Sequence, residues 1–232
     1  MSKSRELLDD NFIPPKKKAL SLKEIVSHEY KKCAVDPVYF MRKYCKIQHP
    51  MRGKILFNLY PFQEDLLTDL NDHKFNIILK ARQLGISTIS AAYGLWKMTF
   101  VSDFNVLVIA TNQDVAKNLV TKVRVMYDNL PTWMRAEYDE HNKLSLRFRN
   151  GSHIKAASAN AEAGRSEALS LLIIDEAAFI SNAHQIWTAA QPTLSSGGSA
   201  ILLSTPNGTG NFFHQKWVEA ETKGTMNTIT LP

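Results

Sequence analysis

The sequence predicts an α/β protein, a mostly parallel β-sheet with helices on both faces. Two observations carry that prediction. Asn76–Leu79, Asn105–Ala110, Leu171–Ile174 and Ala200–Ser204 are short, nearly continuous apolar runs, the pattern of strands buried on both faces. Between them the apolar period changes to that of a helix, as in Val115, Leu119, Val123 and Met126, and strands alternating with helices form parallel sheets.

Each element has its own local reason. Residues 1–20 read as a polar tail in which Pro14-Pro15 precedes Lys16-Lys17-Lys18, and residues 21–232 read as one domain. Ser21-Leu22-Lys23-Glu24 has the spacing of a capping box, so a helix is expected through Lys32. Asp36-Pro37 opens a second short helix carrying Val38, Phe40, Met41 and Tyr44. The strand Asn76–Leu79 runs into a loop and then a helix over Ser87–Phe100. After the strand Asn105–Ala110, Thr111 is read as the cap of the next helix. Leu144–Arg149 and His153–Ala157 flank Asn150-Gly151, a strong hairpin-turn signal, and Thr228–Leu231 begins a last strand.

Composition narrows the class. At 232 residues and 44% hydrophobic, the chain can bury one substantial core without disulfides. Cys33 and Cys45 have no metal-ligand or redox spacing, which suits a reducing compartment. No apolar run approaches the roughly 20 residues of a membrane helix, and the N-terminus lacks the apolar segment of a signal peptide, so a soluble intracellular protein is expected. The formal charge of +6 favours a polyanionic partner, nucleic acid first.

The chemistry concentrates at strand ends. Leu171-Leu172-Ile173-Ile174 delivers Asp175-Glu176, and two carboxylates at the end of a buried strand are expensive unless they are used. Asp175 is read as a Mg²⁺ ligand and Glu176 as the group that activates an attacking water. The other reading of the pair is an N-cap for a helix beginning near Ala177. Upstream, Lys80-Ala81-Arg82-Gln83-Leu84-Gly85-Ile86-Ser87-Thr88 joins a strand to a helix, the place where backbone N–H groups cradle phosphate. Aligned on Gly85 and Ser87, a standard phosphate loop would have its first glycine at Lys80 and its lysine at Ile86. Ser87 is then a second Mg²⁺ ligand. Lys80 or Arg82 must supply the missing cation, and Ile86→Lys is expected to be tolerated. Ser204-Thr205-Pro206-Asn207-Gly208 follows another buried strand, so Ser204, Thr205 and Asn207 are expected beside Asp175, either as γ-phosphate sensors or as a simple turn. Gln63, in Tyr60-Pro61-Phe62-Gln63, has an amide that can both donate to and accept from adenine, or it is an ordinary surface glutamine. Together these read as an ATP- and Mg²⁺-dependent hydrolase.

In this order, from Leu59 to Trp217, the elements resemble the ATPase domain of the large terminase subunit of tailed bacteriophages, and most closely its contractile-tailed branch. The variant loop at Ala81–Thr88, the adenine element at Tyr60–Gln63, the metal and base element at Leu172–Ile180 and the coupling element at Ser204–Gly208 all look like that family's. Gly164-Arg165-Ser166 resembles its arginine-bearing loop. The resemblance implies a P-loop NTPase fold of the additional-strand catalytic-glutamate type and an ATPase that drives double-stranded DNA into a procapsid. It implies nucleotide contacts from Lys80 through Thr88, and Arg165 as an arginine finger reaching a neighbouring subunit. Implied partners are the portal protein, the small terminase subunit and further copies in a ring on the capsid, the isolated chain being a monomer. The implied place of action is the host cytoplasm, away from membranes and outside the mature virion. Large terminases normally continue into a nuclease domain. No separate carboxylate cluster for one stands out in this sequence, so no cutting activity is expected of it. Other readings of the same core are a helicase or restriction-type DNA translocase and, given Ile86, a non-catalytic binding remnant.

Overall fold

The computed structural model describes residues 21–49, 51–159 and 168–231. The expected tail, residues 1–20, and the Arg165 loop lie outside the described residues.

Helices α1 (Leu22–Val35) and α2 (Pro37–Tyr44) start where the sequence says they should. Ser21 and Glu24 form the reciprocal capping box, and the Asp36 carboxylate accepts the Tyr39 N–H at 2.8 Å. A small antiparallel hairpin follows, β1 (Lys46–His49) and β2 (Gly53–Leu56), with Gly53 at φ +68° entering its second strand. Then come α3 (Pro61–Asp72), β3 (Phe75–Leu79), α4 (Ile86–Phe100), β4 (Asn105–Ala110) and α5 (Gln113–Asp128). The cap of α5 is Asn112 and not Thr111: its side chain accepts the Val115 N–H at 3.0 Å. β5 (Tyr138–His141), β6 (Ser145–Phe148) and β7 (His153–Ser158) form a meander whose second turn is the expected Asn150-Gly151. The chain then runs through β8 (Leu171–Asp175), a 3₁₀ turn (Ala177–Phe179), α6 (Ala183–Ser195), β9 (Ser199–Ser204), α7 (Phe212–Lys223) and β10 (Asn227–Thr230).

The eight-stranded sheet has the order β10-β3-β9-β8-β4-β7-β6-β5. It is parallel from β10 to β7 and antiparallel in the last two pairings. The strand β9 lies between β3 and β8, as the additional strand of the expected fold type does. Alternate residues of the central strands feed two cores. Ile78, Val106, Val108, Ile173 and Leu203 pack against α1–α5 on one face. Ile77, Leu107, Ile109, Ile174 and Leu202 pack with residues of α6 and α7 on the other. This double burial is why the strands read as unbroken apolar runs. Register brings the strand ends level, Leu79 opposite Ser204 and Leu203 opposite Asp175. Among the described residues no helix is long and apolar enough to cross a membrane.

Burial on both faces makes the central strands intolerant of truncation. Ile173→Ala, at a fully buried position of β8, is expected to lose about 2–5 kcal/mol of stability. Leu22→Ala, at a position 82% exposed, should stay within about 0.5 kcal/mol. Urea unfolding followed by circular dichroism measures both.

Candidate active site

Three neighbouring strands deliver three polar ends to the same edge of the sheet. β3 ends at Lys80, β8 at Asp175-Glu176 and β9 at Ser204-Thr205. Lys80 is only 8% exposed, and its Nζ donates to Glu176 Oε1 at 2.6 Å. Its backbone N–H donates to the Ser204 carbonyl at 3.0 Å, so the ladder of β3 and β9 continues one residue into the loop. Lys80 is therefore a buried, paired end of its strand.

Glu176 sits at the hub. Its Oε2 accepts the Thr205 N–H at 2.9 Å and the Thr205 hydroxyl at 3.0 Å, with Ser204 Oγ at 3.4 Å. Burial pushes the Glu176 carboxyl up, but Lys80 and the Thr205 donors outweigh it, and the group lies below the usual glutamate range. Its backbone is left-handed at φ +55°, a conformation that costs a non-glycine residue roughly 1–2 kcal/mol. Such strain is retained where the surroundings dictate a side chain's aim. Its side chain makes no helix-capping bond, so the N-cap reading of the pair fails here.

Asp175 differs in kind. One oxygen accepts from the Ser87 hydroxyl at 2.7 Å, and the other, Oδ1, is buried without a hydrogen-bond partner. Burial holds this carboxyl above its usual range, against the opposing pull of Ser87, Lys80 and Lys122. An orphaned buried carboxylate oxygen beside a serine hydroxyl is a hard oxygen donor set of the kind that Mg²⁺ takes. Among the described residues no group of three His, Cys, Asp or Glu could hold a metal, so an ion here would need ligands from a bound substrate as well.

The loop itself is built to receive an anion. Gln83 at φ +65° and Gly85 at φ +75° are both left-handed. Among the described residues, the N–H groups of residues 81–87 reach no acceptor, and they lead into the N-terminus of α4. Ala81, Arg82 and Gln83 are exposed, while Leu84, Ser87 and Thr88 are half-buried. Ile86 is only 2% exposed and belongs to the core. A lysine there would bury an ammonium, so the expected tolerance of Ile86→Lys is withdrawn.

Gln63 is neither free nor on the surface. It is 3% exposed, accepts the Tyr60 N–H at 3.1 Å and donates to the Leu84 carbonyl at 2.9 Å. A Cβ on Gly85 would come within 2.9 Å of its Nε2 and push the Gln63 amide aside, while the left-handed φ of +75° is what favours glycine there. Gln63 thus ties the start of α3 to the phosphate loop, and among the described residues one of its amide hydrogens has no acceptor. It lines an open cleft of about 570 Å³ with His49, Arg52, Phe57, Tyr60 and Gly85. The hairpin side of this cleft was not foreseen in the sequence, although Met51-Arg52-Gly53 was a readable turn signal.

Ser204 and Thr205 meet Glu176, the neighbour of Asp175, whereas Asn207 does not. Its amide donates to the Ala178 carbonyl at 3.0 Å, bracing the 3₁₀ turn after Glu176. Lys122 of α5 also faces Asp175 and Lys80 electrostatically, and sequence periodicity gave no sign of it. Arg165 cannot be placed, lying outside the described residues.

Three solved structures are similar in fold. A variant of the ATPase domain of the Thermus phage P74-26 large terminase is 21% identical, with a TM-score of 0.59, covering 75% of this chain and 81% of that one. The large terminase of bacteriophage HK97 is 16% identical, with a TM-score of 0.66, covering 85% of this chain and 43% of that one. The large terminase of the thermophilic bacteriophage D6E in complex with ADP is 14% identical, with a TM-score of 0.59, covering 74% and 45%. This chain therefore spans less than half of the HK97 and D6E chains. The family model described as terminase large subunit, T4likevirus-type, N-terminal, matches residues 77–228, from β3 and the phosphate loop through to β10, and the chain belongs to that family.

Proposed function

We propose that residues 21–232 are an ATP-hydrolysing motor unit that drives double-stranded DNA into a viral procapsid. The observation that carries this reading is the meeting of the loop, Asp175, Glu176 and Thr205 at one sheet edge, held by the Lys80–Glu176 and Ser87–Asp175 contacts. Family membership and the ADP held by the D6E terminase support it.

In this proposal the triphosphate lies along the N–H groups of residues 81–87 at the start of α4, with the base in the cleft beside Tyr60 and Gln63. Ser87 and Asp175 are the residues that would hold Mg²⁺, whose chemistry is to neutralise charge on the phosphate oxygens. Lys80 turns from Glu176 to the β/γ-phosphates. Arg82 is exposed and reaches no described partner, which favours Lys80 over it as the ground-state cation. Glu176 is left aimed by Thr205 and takes a proton from the attacking water. Thr205 and Ser204 feel whether Glu176 is paired, and Asn207 passes that state to the following turn, a route from hydrolysis to DNA movement. The charge of +6 suits a DNA partner. The same reading places the motor in the host cytoplasm, as a ring with the portal protein and the small terminase subunit, and as a monomer when isolated.

Glu176→Gln keeps the hydrogen-bond acceptor for Thr205 but loses the base. Turnover should fall about 10² or more while nucleotide binding persists. Steady-state phosphate release and equilibrium binding measure the two separately, and near-normal release would contradict the assignment.

We also propose Arg165 as a finger acting on a neighbouring subunit, because a fixed guanidinium stabilises transition-state charge. Arg165→Ala and Glu176→Gln chains should each be inactive alone under assembling conditions. Mixing them should restore part of the activity, since some interfaces then join an intact Arg165 to an intact Glu176. No recovery in a confirmed assembly would place Arg165 in its own subunit's service or outside catalysis.

A further inference from the structure

Lys122 lies on α5, which covers the sheet beside α4. Two residues on, and therefore about 200° round the helix, Arg124 donates to the Asn142 carbonyl at the β5–β6 turn. Arg124 thus marks the flank of α5 that faces the sheet's outer edge, so Lys122 is on the opposite flank, toward α4. It is half-buried and forms no hydrogen bond or ion pair with a described residue. The charges that act on it are those of Asp175 and Lys80, and it acts in turn on Asp175. Burial lowers the affinity of this ammonium for its proton, with Asp175 opposing and Lys80 reinforcing that effect.

An unpaired, half-buried ammonium is unfavourable unless an anion completes its surroundings. Asp175 is not that anion: its Oδ1 remains without a hydrogen-bond partner even with Lys122 near. Ile86, where a standard loop lysine would stand, turns into the core, and Lys80 is held by Glu176. Arg82 is thus exposed and Lys80 is shared with Glu176, while Lys122 is half-buried with no hydrogen bond or ion pair among the described residues.

We propose that Lys122 is a nucleotide-binding residue: it reaches the terminal phosphates from α5, across the Ser87–Asp175 pair from Lys80, as a second cation beside the one that Lys80 supplies. This inference rests on the nucleotide site proposed above.

The test compares wild type with Lys122→Met, Lys122→Gln and Lys122→Arg, titrated with the Mg²⁺ complex of a non-hydrolysable ATP analogue and, separately, with ADP. Affinity for the triphosphate should fall about 10-fold or more in the Met and Gln variants, as for a lost charge-assisted hydrogen bond, and fall less for ADP. Lys122→Arg should retain most of the affinity. The nucleotide-free Tm of Lys122→Met should be unchanged or higher, because an unpaired cation is replaced by an apolar chain of similar length. If Lys122→Met fails to fold, Lys122→Gln is judged by the same criteria. Triphosphate affinity within twofold of wild type in either variant would overturn the inference. So would a parallel loss of Tm and affinity in both variants that Lys122→Arg does not rescue. A wild type that binds neither nucleotide contradicts the proposed function itself, whereas tight wild-type binding with unaffected variants contradicts only the role of Lys122.

Discussion

The ion pair between Lys80 and Glu176 joins the end of β3 to the end of β8 across the intervening end of β9. It is possible only because the central strands are parallel and level, which puts their carboxyl ends on one edge. Lys80 is buried and Glu176 half-buried, and a pair withdrawn from water in this way contributes little net stability. Its consequence is geometric. It fixes the start of the phosphate loop, and with Thr205 it fixes the aim of Glu176.

The departure of this loop from the standard pattern follows from the same arrangement. With Ile86 in the core, the first turn of α4 offers an anion its N–H groups and the Ser87 hydroxyl, but no cation. In the proposed site positive charge therefore comes from outside the helix, from Lys80 at the strand end and Lys122 on α5. The left-handed backbones at Gln83 and Glu176 fit this account. Each turns the chain sharply where a regular helix or strand would carry the side chain elsewhere.

Much of the architecture was legible in the sequence, and the failures have physical causes. β4, β8 and β9 announced themselves because burial on both faces demands unbroken apolar runs, and the α1 and α2 caps because their polar side chains have no other use there. β5 did not, since all four of its residues are exposed on the sheet's edge and pattern follows burial. The β1–β2 hairpin was missed for a similar reason, being mostly exposed. At the site, residues contiguous with strand ends were readable because topology alone brings them together. Lys122 and the second partner of Gln63 depend on how helices pack, which no local spacing encodes.

The central claim is that Lys80 is shared between Glu176 and the nucleotide. The most direct measurement is a crystal structure with Mg²⁺ and a non-hydrolysable ATP analogue bound. It should have Lys80 Nζ within about 3 Å of a β- or γ-phosphate oxygen and no longer on Glu176, whose carboxylate stays on Thr205 and faces a water. A nucleotide-bound structure in which Lys80 remains paired with Glu176 while Arg82 alone contacts the phosphates would contradict the account.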